Sequence, residues 1–128
     1  MAMFFIEPFK RVGEISFGEN RESVRQKMGV YKEFKKSRFS KNTTDAFEGC
    51  HVYYTPDNLV EAVELFRDAV PVFKSKNLFL YNASQIKALI NDSSFVAGDG
   101  MLSFPSFGID ICVEDDQIES VFVHSKDY

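Results

Sequence analysis

Apolar residues recur at helical spacing in two short segments of the chain, 21–28 and 83–90. The residues that set this spacing are Val24 and Met28 in the first segment and Ile86, Leu89 and Ile90 in the second. An asparagine stands at the N-cap position of each segment, Asn20 and Asn82, and Gly29 follows the first at its C-terminal end. The pattern therefore predicts two short amphipathic helices.

Four further segments alternate apolar and polar residues, which is typical of strands with one face in a core. These segments are 50–54, 59–66, 109–113 and 118–124. Their alternation predicts a buried face that consists of Cys50, Val52, Tyr54, Val63, Leu65, Ile109, Ile111, Val113, Val121 and Val123. The two predicted helices would cover this face with their own apolar residues.

The segment 58–70 fits both a helix and a strand. Leu59, Val63 and Phe66 lie at helical spacing, and charged residues occupy the opposite side. The later segment 118–124, which follows a turn in the same way, is rich in β-branched and aromatic residues and favours a strand. We therefore predict the strand given above, although the periodicity alone indicates a helix.

The order helix, strand, turn, strand occurs twice along the chain. Corresponding helices and strands are offset by 62, 59 and 58 residues, and such self-similarity is typical of an internal repeat. The sequence predicts a single α+β domain over 1–128, with an internal duplication of about 13–68 and 75–125. In this interpretation two helix–β-hairpin repeats form one antiparallel sheet with the helices on one face.

The other face of the predicted sheet, called the outer face here, mixes aromatic and charged residues. It consists of His51, Tyr53, Glu64, Phe66, Asp110, Phe122 and His124. An antiparallel sheet can leave one face in solvent, and a contiguous apolar patch there usually marks an interface. Alternatively, residues 70–80 or 95–107 fold over this face, and the sequence does not decide between the two arrangements.

Charge is divided unevenly along the chain. Residues 1–41 hold ten Lys and Arg against five Glu, whereas residues 42–128 hold five Lys and Arg against fourteen Asp and Glu. The net charge of −4 excludes a globally basic nucleic-acid-binding protein. The acidic part includes Asp115 and Asp116 in a predicted turn. Two solvated surfaces, or one surface that attracts a basic partner, would account for the division.

The sequence contains no pattern typical of membrane insertion or secretion. No apolar run approaches the ~20 residues of a membrane span, and Glu7 and Pro8 end the short apolar stretch at the N-terminus. The interpretation is a cytoplasmic protein in which Cys50 and Cys112 are reduced core thiols.

Residues 35–49 are polar and aperiodic, which predicts a long loop that Phe39 and Phe47 hold in part. Basic and aromatic residues alternate over 31–41, a combination that can bind single-stranded nucleic acid or a small ligand. The acidic remainder of the chain would repel nucleic acid, so a solvated loop is the preferred interpretation.

No catalytic signature is present in the sequence. Asp110 and Cys112 share the predicted outer face with His51 and His124, but no local pattern indicates the pocket that a cysteine nucleophile requires. Two histidines also fall short of the about four ligands of a tetrahedral zinc site. We expect neither catalysis nor a cofactor, and the alternative is a small enzyme or ligand-binding module that uses His51 and Asp110.

Short runs of the chain resemble those of known bacterial proteins. Ile15-x-Phe17-Gly18, followed by Glu22-Ser23-Val24 and Met28-Gly29, resembles a motif in which a glycine turn precedes a helix, and which BamE-like and beta-lactamase-inhibitor-protein-like folds share. The chain is also similar to small cytosolic immunity proteins of bacterial polymorphic or contact-dependent toxin systems. The residues that carry this similarity are Asp45-x-Phe47, His51-Val52-Tyr53-Tyr54, Asp57 and Val60-Glu61-Ala62-Val63.

This resemblance implies a non-catalytic protein that occludes the active site of a cognate toxin domain. The acidic charge favours a basic, nuclease-like toxin as the partner. The surface to which we assign partner binding comprises His51, Tyr53, Glu64, Phe66, Asp110, Asp115, Asp116, Phe122 and His124. In this hypothesis the aromatic residues supply buried area, and the acidic residues steer the partner and pair with its charges.

Overall fold

A computed structural model describes residues 2–128, and Met1 lies outside the described residues. Within this range the chain forms thirteen strands, two α-helices and one 3₁₀ turn. The first seven strands are β1 (Ala2–Glu7), β2 (Arg11–Val12), β3 (Ile15–Ser16), β4 (Lys32–Phe34), β5 (Thr44–Phe47), β6 (Cys50–Tyr54) and β7 (Val60–Leu65). The other six are β8 (Ala69–Phe73), β9 (Lys76–Asn77), β10 (Val96–Gly98), β11 (Met101–Phe104), β12 (Ile109–Glu114) and β13 (Gln117–His124). The helices are α1 (Arg21–Met28) and α2 (Ala83–Ile90), and the 3₁₀ turn covers Leu78–Leu80.

Both predicted helices are confirmed with their predicted boundaries. The Asn20 side chain accepts a hydrogen bond from the backbone N–H of Glu22, and Gly29 ends α1 with a positive φ. At α2, Asn82 and Gln85 form a capping box, in which each side chain accepts a hydrogen bond from the backbone N–H of the other residue. Local capping chemistry therefore fixes where each helix begins.

The larger sheet has eight antiparallel strands in the order β10-β11-β12-β13-β7-β6-β5-β4. The chain runs through it as two meanders, β4–β7 and β10–β13, which meet where β7 pairs with β13. The segment whose periodicity also indicated a helix is strand β7, so the strand prediction is confirmed. Partners on both sides satisfy the backbone of β7, and this outweighs its helical spacing.

The prediction of one antiparallel sheet is wrong, because a second sheet of five strands is present in the order β3-β2-β1-β8-β9. Its central strands β1 and β8 are parallel and join residues 67 positions apart, such as Ala2 and Ala69. The spacing of apolar residues within each segment gives no information about a pairing between strands so far apart in the sequence. Pro71 lies within β8, but β9 pairs with β8 only at Val72 and Phe73, so the missing N–H of Pro71 removes no bond on that side.

The prediction of one loop over 35–49 is also wrong, because Thr44–Phe47 forms strand β5 and the loop is limited to 35–43. The sequence did not predict this strand because Thr44 and Asp45 are polar, and polar residues are typical of exposed loops. In the structure, both residues are buried. Phe47 is buried as expected, whereas Phe39 is 80% exposed and does not hold the loop.

The two meanders have matching registers. His51 pairs with Glu64 across β6 and β7, and Asp110 pairs with Phe122 across β12 and β13. Each of these hairpins contains one register shift near its turn, between Tyr53 and Tyr54 in the first and between Cys112 and Val113 in the second. The outer strands β4 and β10 also join their neighbours β5 and β11 in corresponding registers.

The buried faces of the two sheets and the helices meet in one core. The residues predicted to face inward are buried, except that Val113 is partly exposed. Val24 of α1 and Ile86 of α2 are fully buried, whereas Met28 and Leu89 pack at the margin. The second sheet adds apolar side chains that include Phe4. The predicted outer face of the larger sheet therefore points away from this core.

Candidate functional site

The seven residues predicted for the outer face lie together on one side of the eight-stranded sheet, and all of them are half-buried. The two segments that the sequence offered as covers lie elsewhere. Residues 70–80 contribute to β8 and β9 of the second sheet, and residues 95–107 contribute to β10 and β11 at the edge of the larger sheet. Lys36 and Tyr128 lie over the centre of the outer face.

Glu64 occupies the centre of the outer face, between His51 on β6 and Phe122 on β13. Its carboxylate accepts one hydrogen bond from Tyr53 Oη at 2.7 Å and another from Ser120 Oγ at 2.9 Å. Burial, together with this carboxylate, raises the pKa of Tyr53 well above its usual range. The phenol therefore remains a donor and holds the Glu64 side chain in place.

Aromatic rings continue from Tyr53 across the face. The ring centre of Tyr53 lies 5.6 Å from that of Phe122, and the ring of Phe122 lies 5.5 Å from that of Tyr128. The Nζ atom of Lys36 stands 4.8 Å above the centre of the Tyr53 ring and 5.9 Å from that of Phe122. These distances are typical of cation–π contacts, so the rings of Tyr53 and Phe122 contact a positive charge, and Tyr128 packs beside Phe122.

His51 packs as an aromatic ring on this face. Its ring centre lies 5.1 Å from that of Phe34 and 4.5 Å from that of Phe66, edge to face in both cases. Burial lowers the pKa of His51 below its usual value of 6.5, and the nearby Lys36 ammonium acts in the same direction against the opposing Glu64. His51 is therefore neutral at physiological pH and contributes packing.

His124 is the histidine that lies near Asp110. Its Nδ1 atom lies 2.9 Å from the carbonyl oxygen of Ser125, which can only accept, so Nδ1 carries the proton. The Nε2 atom then faces Asp110 Oδ2 at 3.8 Å, beyond hydrogen-bond distance. His51 and Asp110 lie on strands three spacings apart, or ~14 Å, and do not form an acid–base pair with each other.

Asp115 and Asp116 lie apart from the other predicted residues. Both are exposed and have positive φ values, in the turn that joins β12 to β13. The carbonyl oxygen of Asp116 accepts a hydrogen bond from the N–H of Ala83, which ties the turn to the start of α2. Asp115 lies five positions after Asp110 along the chain, which is ~17 Å of extended strand from the outer face.

The two cysteines are both free but differ in environment. Cys50 is a core thiol, as predicted, and burial raises its pKa to about 12, which makes it a poor nucleophile. Cys112 is half-buried on the outer face and not in the core, with its Sγ atom 4.0 Å from Met101 Sδ.

A second polar cluster lies on the buried side of the sheet, and the sequence analysis did not identify it. The Asp45 carboxylate is fully buried and accepts hydrogen bonds from the forked guanidinium groups of Arg21 and Arg25, at distances of 2.8–3.2 Å. Tyr54 Oη donates a further bond to it at 3.0 Å. These donors outweigh burial and lower the pKa of Asp45 to about 2.

The arginine that lies deepest in this cluster has no donor left for a ligand. Nε of Arg21 bonds to Asp45, Nη1 bonds to Asn42 and Asn58, and Nη2 bonds to Thr43 and Asp45. These five bonds use all five N–H donors of a guanidinium group. The cluster therefore joins α1 to β5 and leaves the outer face as the candidate site. The sequence contains one signal for this burial. Asp45 lies two residues before the apolar Phe47, and in a strand this spacing places both side chains on the same face.

Residues 2–128 contain no group of three His, Cys, Asp or Glu side chains arranged to hold a metal ion. In the same part of the chain, neither helix has the length and apolar character needed to cross a bilayer. Comparison with known proteins found no matching family model, no matching curated protein and no matching solved structure.

Proposed function

We propose that this chain is a non-catalytic binding protein that neutralises a bacterial toxin domain by covering the toxin's active site. The observation that supports the proposal is the outer face, where aromatic rings and carboxylates lie half-buried without a helix or strand of the described chain above them. Tyr, Phe and other rings with few rotatable bonds are typical anchors of protein interfaces. A sheet face that presents such rings can cover a cleft without entering it.

In this proposal, the aromatic and the acidic residues of the outer face have different roles in binding. Tyr53, Phe66 and Phe122 bury apolar area against the partner. Glu64 and Asp110 pair with basic groups of the partner, such as those that line the active site of a nuclease. The separate turn at Asp115 and Asp116 contributes at the margin, where exposed charge speeds association. The encounter takes place in the cytoplasm, and the binding protein uses no cofactor.

The test begins with the partner. An affinity-tagged chain is expressed in its native host, and the bound protein is identified by mass spectrometry at moderate salt. The partner's catalytic activity is then measured against increasing amounts of the purified chain. We expect stoichiometric inhibition of a basic toxin domain. A partner whose activity is unchanged by saturating chain contradicts the proposal.

Paired variants locate the inhibitory surface. Phe122→Ala removes a ring at the centre of the outer face, and we expect it to weaken inhibition at least about tenfold. Leu80→Ala serves as the control, because Leu80 is a large apolar residue that is 75% exposed in the 3₁₀ turn, outside the outer face. Equal inhibition by the two variants would show that the partner binds elsewhere.

We also propose that the two halves of the chain, about 13–68 and 75–125, are copies of one helix–β-hairpin unit. The matching registers of the two meanders and the repeated register shifts support this proposal. An experimental structure tests it by superposition of β5–β7 on β11–β13. A match of every inward-facing position supports a duplication, and a one-residue slip in either half would reject it because it reverses the faces.

A further inference from the structure

We infer that Tyr53, Phe122 and Tyr128 form a cage for one cationic side chain, which Lys36 occupies in the free protein and a lysine or arginine of the partner occupies in the complex. This inference rests on the proposed function and specifies the chemistry that its surface recognises. In the free state, Lys36 is therefore a substitute for the partner's residue.

The cage is built before any partner arrives. The hydrogen bond from Tyr53 to Glu64 fixes one ring, and contacts of 5.6 Å and 5.5 Å between ring centres order Phe122 between Tyr53 and Tyr128. Tyr128 also lies 5.2 Å from the ring of His124. Rings held in this way lose little freedom when a cation binds, and preorganisation of this kind favours affinity.

The charges that surround the cage favour a cation. One cavity of about 240 Å³ beside it is lined by both Glu64 and Asp110, and another of about 250 Å³ is lined by Glu61. Lys36 and Tyr128 line both cavities. Withdrawal of the Lys36 side chain would join the two spaces over the rings and bring a new cation close to the carboxylates.

Lys36 is held loosely enough to leave. Its residue is exposed in the loop 35–43, and within residues 2–128 no carboxylate oxygen lies within 4.0 Å of its Nζ atom. The contacts at 4.8 Å and 5.9 Å to ring centres remain. Exchange of one cation for another at the same rings costs little, so a partner's side chain can displace Lys36.

The first measurement detects the resident cation by nuclear magnetic resonance. Protons above an aromatic ring shift upfield, so the Lys36 side-chain ε protons should resonate upfield of those of Lys35. Phe122→Leu, which removes one ring, should reduce this shift. Random-coil positions for the Lys36 protons in the unmodified chain would overturn the inference.

The second measurement tests the vacated cage with a small probe. N-acetyl-lysine methylamide is titrated into the chain while the ring resonances of Tyr53, Phe122 and Tyr128 are followed. Lys36→Ala should bind this probe about two- to fivefold more tightly than the unmodified chain, because the internal competitor is gone. Lys35→Ala makes the same charge change one residue away and should leave the affinity unaltered.

A neutral probe separates charge from apolar contact. N-acetyl-norleucine methylamide has a similar alkyl chain without the ammonium group and should bind the Lys36→Ala variant more weakly than the lysine probe. Equal binding of the two probes, or equal affinities of Lys36→Ala and Lys35→Ala for the lysine probe, would overturn the inference.

Failure of this inference differs from failure of the proposed function. If the probe does not use the cage but the chain still inhibits a toxin through Phe122, the cage is wrong and the proposed function stands. If the cage binds the lysine probe and no captured partner is inhibited, the cage exists and the proposed function is wrong.

Discussion

At the scale of single residues, Asp45 links a helix to the sheet through its buried charge. Its carboxylate is fully buried, yet Arg21, Arg25 and Tyr54 supply donors to both of its oxygens. The two arginines come from α1 and the carboxylate from β5, so one side chain joins the helix to the sheet. Removal of its charge would leave Arg21 with the Glu33 carboxylate at 3.9 Å, and Arg25 with Glu33 at 3.1 Å and Glu22 at 3.6 Å. Both glutamates are exposed, so the buried Arg21 guanidinium would lose its buried counter-charge.

Asp45→Asn should therefore destabilise the protein by about 3 to 5 kcal/mol, the usual effect of the loss of one member of a buried ion pair. The measurement is the free energy of unfolding in urea at neutral pH. Asp57→Asn is the control, because Asp57 lies exposed in the turn after β6. A loss at Asp45 no larger than that at Asp57 would mean that the cluster adds nothing to stability.

The same carboxylate predicts a pH dependence. Folding lowers the pKa of Asp45 from 3.8 to about 2, so its stabilising effect is present above 3.8 and is lost as the pH falls towards 2. The difference in unfolding free energy between the unmodified chain and Asp45→Asn should stay constant from about pH 5 to 7. It should shrink below pH 3.8. A difference that persists unchanged at pH 2 would contradict this assignment.

At the scale of elements, the glycine before β12 fixes a tight junction. Gly108 has a φ of +65°, and a Cβ atom there would meet the carbonyl oxygen of His124 and a ring carbon of Phe9, each at 2.8 Å. Gly18 has a φ of +83° but nothing within 4 Å of its Cβ position. The two positions share the backbone conformation and differ in the space around it.

Substitution by alanine separates these two costs. Gly18→Ala should lose about 1 to 2 kcal/mol of stability from the left-handed backbone alone. Gly108→Ala should lose about 1 to 3 kcal/mol more, because the methyl group overpacks the junction with β13. Unfolding in urea measures both, and similar losses at the two positions would show that the junction can relax.

The elements also mark where the sequence could and could not predict the fold. Helix caps and alternating strands are local signals, so Asn20, Asn82 and the β6 alternation identify their elements directly. The pairing of β1 with β8 joins distant residues and has no local signal. Strand β5 was not predicted, because a polar residue such as Asp45 is typical of a loop and the sequence does not show its arginine partners.

The candidate site was predictable to a similar extent. Alternation placed His51, Tyr53 and Phe122 on one face, because the strand period is two and does not depend on distant partners. The cage could not be predicted, since Lys36 reaches the face from a loop and Tyr128 lies beyond the last strand. Part of the basic charge of residues 1–41 was likewise interpreted as surface, although Arg21 is buried.

For the whole molecule, one core joins both sheets and both meanders, so the halves should unfold together. Val121 is fully buried where β13 pairs with β7, and Val121→Ala should cost about 2 kcal/mol. Amide hydrogen exchange should show that the free energy of opening falls by the same amount in β6 and in β12. Leu80→Ala, at an exposed position, should change neither, and a loss confined to β12 would indicate two independent units.

The pairing of β7 with β13 also affects how two incompletely folded molecules could associate. The two strands are distant in sequence, since Phe122 pairs with Glu64 across 58 residues, so β7 has an open edge until β13 reaches it. The β7 strand of a second molecule, placed on that edge in the register of β13, would set Glu64 opposite Glu64. Like charges directly opposite each other destabilise a sheet, whereas the native pairing sets a neutral ring there. In this register, Glu64 would therefore disfavour strand exchange between molecules while folding is incomplete.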